Sequence, residues 1–161
     1  MVTEEQAHFM QMAIDLSQYA LDTKNGGPFG AIIVYKGNIV GSSGNCVYRD
    51  IDPSAHAEVM AIRDACKNLK SLDLSGCQIY SSSEPCPMCL AAIYWAQISS
   101  IFYCNTENDA FNFGYLDKSI VQDLKKPKEK RKIKSIHIHN NRGLKIFERD
   151  KTKKSLENLT I

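Results

Sequence analysis

A helical segment between two apolar segments in the middle of the chain is the strongest guide to the fold. Residues 77–81 and 98–104 have the composition of strands, and residues 87–96 between them have that of a helix. Two strands joined by a helix pair in parallel, almost always through a right-handed crossover. The chain is therefore predicted to be an α/β protein with at least one pair of parallel strands.

The N-terminal part predicts that the sheet is mixed. Thr3 and Gln6 resemble a capping box, and apolar residues recur at helical spacing over residues 4–22. Two short strands follow at residues 29–35 and 39–43, joined by a glycine-containing turn in the pattern of an antiparallel hairpin. A second helix is expected next, with Ser54 as its N-cap.

The C-terminal part is predicted to add one more strand to the sheet. Residues 108–124 have the pattern of one or two short helices, residues 133–139 that of a strand, and residues 144–156 that of a polar helix. No internal repeat is visible. A length of 161 residues fits one domain, so residues 1–161 are expected to form a single unit.

Charge is distributed unevenly along the chain. Residues 1–124 contain 7 Lys and Arg against 14 Asp and Glu, whereas residues 125–161 contain 13 against 4. The densest basic segment, residues 125–134, could bind phosphates, but such segments more often form solvated, proline-broken connections. Because the acidic part holds the chemistry-bearing motifs and no aromatic residues interleave with the lysines, a nucleic-acid partner is not expected.

The N-terminal residues and the lack of an apolar segment of membrane length both indicate the cytoplasm. No apolar segment approaches the length of a membrane helix, and the first residues lack the basic and apolar pattern of a signal peptide. Thiols stay reduced in the cytosol, so six cysteines do not indicate a disulfide framework there. A close pair such as Cys86 and Cys89 instead suggests metal or redox chemistry.

Three potential metal ligands lie at the starts of two predicted helices. Cys86 and Cys89 are three residues apart, so both sulfurs can point at one position, and His56 from the other helix start would complete a set for zinc. Three protein ligands leave one tetrahedral corner for a water, as in catalytic zinc sites. Taken separately, His56 is more often an ordinary histidine, and the two cysteines could be a redox pair or half of a structural site.

Glu58 supplies a carboxylate beside this group. Residues two apart on a helix do not face each other, so His56 and Glu58 can share a centre only near the helix N-terminus. A carboxylate there can take a proton from a bound water and deliver it to the substrate. The combination of His-x-Glu with Pro-Cys-x-x-Cys is the signature of zinc-dependent nucleobase deaminases.

With these motifs the sequence resembles the cytidine deaminase superfamily, and within it the small bacterial-type guanine deaminases. The resemblance extends over about residues 8–124, and the matching blocks are residues 26–31, 52–59, 83–90 and 92–96. It implies an α/β/α sandwich around a five-stranded mixed sheet, usually in a homodimer. It also implies one zinc ion per subunit on His56, Cys86 and Cys89, with Glu58 as the proton carrier.

The resemblance further implies hydrolytic deamination of guanine to xanthine and ammonia by a zinc-activated water. Asn45 falls where the family hydrogen-bonds the purine, and Phe29 and Trp95 fall where aromatic side chains line the base pocket. Ala57 is assigned to substrate binding by the same matching. Asp117 falls on the family's acidic residue near the purine ring and is assigned a catalytic role.

Several alternatives remain open at this stage. A guanosine deaminase carries nearly the same motifs, and a tRNA adenosine deaminase or a cytosine deaminase shares the zinc motifs. A non-catalytic zinc protein is disfavoured by Glu58 and by the missing fourth ligand. In this branch the C-terminal segment can cross to the partner subunit and cover its site, so residues 125–161 are a candidate for exchange or capping, with Glu148 as a possible second acid.

Overall fold

The computed structural model describes residues 2–115 and 117–151. The chain divides into two compact units, Met1–Val121 and Gln122–Ile161. The first unit carries a single mixed sheet in the order β2-β1-β3-β4. Its strands are β1 (Gly30–Tyr35), β2 (Asn38–Gly44), β3 (Cys77–Ser83) and β4 (Ser100–Asn105).

Strand pairing in this sheet confirms the predicted hairpin and the predicted strand-helix-strand unit. Strand β1 pairs antiparallel with both β2 and β3, whereas β3 and β4 are parallel. The helix between β3 and β4 is α3 (Pro87–Trp95), as expected for a crossover between parallel strands. The edges of these elements lie within two residues of the predicted ones.

Helices cover both faces of the sheet. Helix α1 (Glu4–Asp22) begins with the predicted capping box, in which Thr3 and Gln6 exchange hydrogen bonds. It packs through Phe9 and Ala13 against Ile32, Val34 and Tyr80 on one face. On the other face lie helix α2 (Ala57–Leu69) and helix α3, whose buried residues join Ala31, Ile33 and Ile79 in the second core cluster. The fold is thus an α/β/α sandwich.

Close approach of α1 to the sheet depends on one glycine. A side chain at Gly30 would collide with the carbonyl oxygen of Ala13 and would lie 2.5 Å from the amide nitrogen of Ser17. The absence of a Cβ therefore lets the helix backbone rest directly on the first residue of β1. This contact fixes the start of the strand that follows Phe29.

Helix α2 begins two residues later than expected. Ser54 is not its N-cap, because the amide and hydroxyl of Ser54 both donate to Asp52 Oδ1 and form a turn before the helix. His56 is the N-cap, with an extended backbone conformation. Two short helices follow β4, as predicted for residues 108–124: α4 (Glu107–Asn112) and α5 (Asp117–Leu124).

The predicted strand at residues 133–139 is wrong, and with it the expected fifth strand. Residues 134–140 form no regular structure, and Ile133, Ile136 and Ile138 are all more than 80% exposed. A strand needs a neighbouring backbone to pair with, and within residues 122–151 none is available to this segment. The sheet in the described part of the chain therefore has four strands.

The second unit contains a short 3-10 helix, Lys128–Lys130, and helix α6 (Asn141–Lys151). Arg131 organises the basic segment by donating to the carbonyl oxygens of Leu124 and Lys126. Asp123 accepts hydrogen bonds from the side chain of Lys126 and from the amide of Lys132. The predicted end of the terminal helix, at residue 156, lies outside the described residues. Among the described helices none is both long and apolar enough to span a membrane.

Candidate active site

Two helix starts bring three potential metal ligands together. His56 is the N-cap of α2 and Cys86 is the N-cap of α3, and both have extended backbone conformations. Neither side chain forms a capping hydrogen bond to its own helix. Cys89 lies in the first turn of α3 and is fully buried.

The distances between these ligand atoms fit zinc. His56 Nδ1 lies 3.6 Å from Cys86 Sγ and 3.5 Å from Cys89 Sγ. Tetrahedral zinc, with bonds of about 2.3 Å to sulfur and about 2.0 Å to nitrogen, would separate such a pair by about 3.5 Å. Among the described residues, this is the group of His, Cys, Asp and Glu side chains that could hold a metal ion.

The two thiols differ in acidity. A hydrogen bond from Cys89, together with one from the imidazole of His56, lowers the pKa of the Cys86 thiol to about 4 against the opposing effect of burial. The same hydrogen bond, with burial, raises the pKa of Cys89. Cys86 is therefore a thiolate at neutral pH before any metal binds, and a thiolate is the form that coordinates zinc.

Glu58 is a buried carboxyl in contact with the ligand group. Its side chain is 6% exposed, and it accepts hydrogen bonds from Ser81 Oγ at 3.3 Å and from Cys89 Sγ at 3.4 Å. Burial raises the pKa of Glu58 above that of an exposed glutamate. A carboxyl with a raised pKa can both hold and release a proton near neutral pH, as a general acid and base must.

A cavity of about 200 Å³ opens onto this group. His56, Glu58 and Cys86 line it together with Phe29 and Asn45, two residues expected to bind the base. Sequence-distant parts of the chain thus meet in one cavity that combines a potential metal site, a carboxyl, an amide and an aromatic ring.

Asn45 is held in a defined orientation. It is 4% exposed, and its side-chain Oδ1 accepts a hydrogen bond from the backbone amide of Val47 at 3.1 Å. The backbone amide of Asn45 donates to the carbonyl oxygen of Phe29. A side chain at Gly26 would collide with Asn45 Oδ1 and would lie 2.8 Å from the Asn45 carbonyl oxygen. The glycine therefore makes the space that the amide occupies.

The structure does not bring all of the expected site residues to the cavity. Trp95, the last residue of α3, is 69% exposed and does not line the cavity, so it is not a wall of the base pocket within this chain. Ala57 is fully buried in the core cluster beneath α2 and is also absent from the lining. Asp117 begins α5, but its side chain lies outside the described part. Glu148 is an exposed residue of α6 in the second unit.

Five further residues line the cavity that sequence reasoning had not assigned to it: Gly27, Val47, Tyr48, Glu84 and Tyr115. The ring of Tyr115 meets that of Phe29 edge-on, with 4.9 Å between centroids. Burial, together with the neighbouring Tyr48, raises the pKa of the Tyr115 phenol. Gly27 and Glu84 lie inside the motif blocks, Tyr115 lies two residues before Asp117, and Tyr48 follows Asn45 by three residues, so proximity in sequence was the available signal.

Glu84 supports the start of α4 as well as the wall of the cavity. Its Oε2 accepts from the amide of Glu107 at 2.8 Å, and its amide donates to the carbonyl oxygen of Asn105. These bonds tie the segment before Cys86 to the end of β4. The position of the Cys86 ligand is thereby linked to the sheet.

Comparison with known proteins agrees with the fold and the motifs. Residues 3–105 match the cytidine and deoxycytidylate deaminase zinc-binding region. The chain belongs to this family of zinc-binding deaminases, and it is an aminohydrolase by class.

Guanine deaminases and tRNA-specific adenosine deaminases form two groups among the similar proteins. The chain is 42% identical over 140 residues to the guanine deaminase of Bacillus subtilis. The aligned segment covers 87% of this chain and 90% of that protein. The X-ray structure of a Bacillus subtilis guanine deaminase superimposes with a TM-score of 0.88 and 40% identity, covering 92% of this chain and 96% of the other. A tRNA-specific adenosine deaminase from Buchnera aphidicola subsp. Schizaphis graminum is 33% identical over 148 residues, or 91% of this chain and 94% of that protein.

Proposed function

We propose that this protein is a guanine deaminase, which converts guanine and water to xanthine and ammonia. The cavity carries the proposal, because it joins the His56, Cys86 and Glu58 group to Asn45 and Phe29, the residue types that bind a planar purine. The relative named a guanine deaminase, at 42% identity over most of the chain, supports the same substrate.

In this proposal His56, Cys86 and Cys89 hold one zinc ion per subunit. Zinc bound by three protein ligands supplies a Lewis acid and lowers the pKa of a coordinated water toward about 7. The Cys86 thiolate and the neighbouring imidazole are ready to bind the ion, because the pKa of Cys86 is already about 4. Of these three ligands, Cys89 is the one that is fully buried.

Glu58 carries the proton of the reaction. Its carboxylate would take one proton from the attacking water and deliver it to the purine ring, and would then carry the second proton of that water to the amine, which leaves as ammonia as its bond to C2 breaks. The hydrogen bond from Ser81 keeps the carboxyl turned toward the ligand group. Its low exposure keeps bulk water from competing for the proton.

The remaining groups bind and orient the base. The Asn45 amide offers both donors and an acceptor to the purine edge, and its bond from Val47 fixes its orientation. Phe29 packs against a face of the base, braced by Tyr115. Asp117 is proposed to help protonate the purine ring, as expected from the resemblance.

We further propose that the enzyme acts as a homodimer in the cytoplasm, in the breakdown of purines. Helix α3 supports the dimer, because Leu90, Tyr94 and Trp95 leave a large apolar surface 39%, 62% and 69% exposed. Light scattering coupled to gel filtration distinguishes a dimer from a monomer. Replacing Trp95 and Tyr94 by serine should then shift the dimer toward monomer.

Ammonia release by the zinc-loaded protein tests the function. Guanine, guanosine, adenine, cytosine, cytidine and a tRNA substrate for adenosine deamination are compared, with Glu58→Gln as the blank. Release from guanine with none from the others supports the proposal. Release only from tRNA, which the second group of relatives makes the next candidate, would overturn it.

A further inference from the structure

The cavity has a buried end and an exposed rim. At the buried end, Asn45 and Glu58 are 4% and 6% exposed, whereas Tyr48 lines the same cavity and is 71% exposed. A substrate that reaches Glu58 with its reacting group must therefore direct its other end toward Tyr48.

Tyr48 is held firmly at this rim. Its amide donates to the carbonyl oxygen of Asn25 at 2.9 Å, and the amide of Arg49 donates to the same oxygen at 3.0 Å. The preceding residue, Val47, donates to Asn45 Oδ1. The turn that orients the Asn45 side-chain amide thus also fixes the backbone that carries the tyrosine ring.

The shape of guanine determines which part of it would meet this ring. The reacting amine is on C2 of the six-membered ring, and N9, which carries the ribose of a nucleoside, belongs to the five-membered ring on the other side of the purine. When the C2 amine lies at Glu58, the five-membered ring lies toward the rim. The rings of Phe29, Tyr48 and Tyr115 line the walls of this cavity, so the part of the base that lies toward the rim is next to aromatic side chains.

We propose that Tyr48 determines the specificity of this site for a free base. Its ring packs against the five-membered ring of bound guanine and occupies the space that a ribose on N9 would need. The proposal rests on the proposed function and extends it, because the zinc and proton chemistry alone treats guanine and guanosine alike. Packing of a base on an aromatic ring is strong enough to influence binding measurably.

Steady-state kinetics of three variants test the role of the ring. For Tyr48→Ala we expect the KM for guanine to rise about 10-fold with kcat within about twofold, since binding is lost rather than proton transfer. The ratio of kcat/KM for guanine to that for guanosine should fall at least about 10-fold. Tyr48→Phe keeps the ring and should resemble the wild type. Tyr19→Ala, at a tyrosine of α1 that is 60% exposed and outside this cavity, is the matched control.

Equilibrium binding separates this inference from the proposed function. In the Glu58→Gln background, which does not turn guanine over, calorimetry measures the Kd for guanine with and without Tyr48→Ala. An approximately 10-fold rise in Kd supports the inference. An unchanged Kd, or an unchanged guanine-to-guanosine ratio in an active enzyme, overturns it while leaving the deaminase activity intact. A wild-type enzyme that prefers guanosine overturns it as well, and a zinc-loaded wild type that acts on neither compound overturns the function itself.

Discussion

The thiol of Cys89 donates a hydrogen bond to Oε2 of Glu58 over 3.4 Å. Cys89 belongs to the group that can hold the metal, and Glu58 is the proposed proton carrier. The potential metal site and the proposed proton carrier are therefore in direct contact. Ser81 holds the second carboxyl oxygen from the adjacent strand β3. The carboxyl is thus oriented from two sides, by the sheet and by the start of α3.

Replacing Glu58 by glutamine should abolish turnover while leaving the metal in place. The amide has nearly the same shape but cannot take up and release a proton, and general acid-base catalysis is worth about 100- to 10,000-fold. Ammonia release from guanine measures the loss, and the zinc content of the purified variant shows that the ligands are intact. Activity close to that of the wild type would contradict the assigned role.

Ser81→Ala should reduce kcat and change its pH dependence. The alanine removes one hydrogen bond to the ionised carboxyl of Glu58, which contributes roughly 1 kcal/mol. Because the carboxyl is then less well oriented, kcat should fall by about 3- to 10-fold. Loss of a donor to the charged form raises the pKa of the carboxyl, so the acidic limb of the pH profile should move to higher pH.

A neighbouring serine provides the control for this experiment. Ser82 is equally buried, but its hydroxyl accepts from the amide of Gly30 and does not contact Glu58. Ser82→Ala should lower stability without moving the pH profile. If both variants shift the profile alike, Ser81 has no special relation to the carboxyl.

Gly26→Ala should damage base binding through Asn45. The new methyl group would collide with Asn45 Oδ1, and both the side chain and the carbonyl of Asn45 must shift to admit it. We expect the KM for guanine to rise at least about 10-fold and stability to fall by about 1–3 kcal/mol, as is usual when a packed site is overfilled. Gly143→Ala, in α6 where an added Cβ meets nothing within 4 Å, should leave the KM unchanged and should not lower stability.

Removal of the metal should inactivate and destabilise the protein together. Metal binding to the folded state contributes stability through mass action, about 2.7 kcal/mol when the free metal exceeds its Kd 100-fold. A chelator should therefore lower Tm and stop ammonia release, and added zinc should restore both. Cys89→Ser should show the lowered Tm without the chelator. A chelated protein with unchanged Tm would argue against the His56, Cys86 and Cys89 site.

Features determined by neighbouring residues were predicted more accurately than features that depend on contacts with distant parts of the chain. The capping box of Thr3 and Gln6 and the hairpin were predicted correctly, because neighbouring residues determine them. The failed strand at residues 133–139 and the exposed Trp95 were assigned from pattern and resemblance, but their outcome depends on partners elsewhere in space. Ser81 and Tyr48 carry no motif, and only the pairing of β3 with β1 and the turn after Asn45 place them at the site.

Glu58 should also make the metal-free protein less stable as the pH rises. Burial raises the pKa of this carboxyl in the folded state above its unfolded value of about 4.3. Below that pH the carboxyl is protonated in both states, and folding carries no penalty for it. As the pH rises toward the folded pKa, the unfolded chain ionises freely while the folded protein must keep the proton, so the free energy of unfolding falls.

Glu58→Gln removes this penalty, since the glutamine never ionises. The variant should gain stability over the wild type, and the gain should be larger at pH 7 than at pH 5. Urea denaturation in the presence of a chelator measures the difference at the two pH values. Glu129→Gln, at an exposed position, should change stability by less than about 0.5 kcal/mol at both. A gain for Glu58→Gln that does not change with pH would show that the buried carboxyl does not resist ionisation, and its suitability as the proton carrier would fall with it.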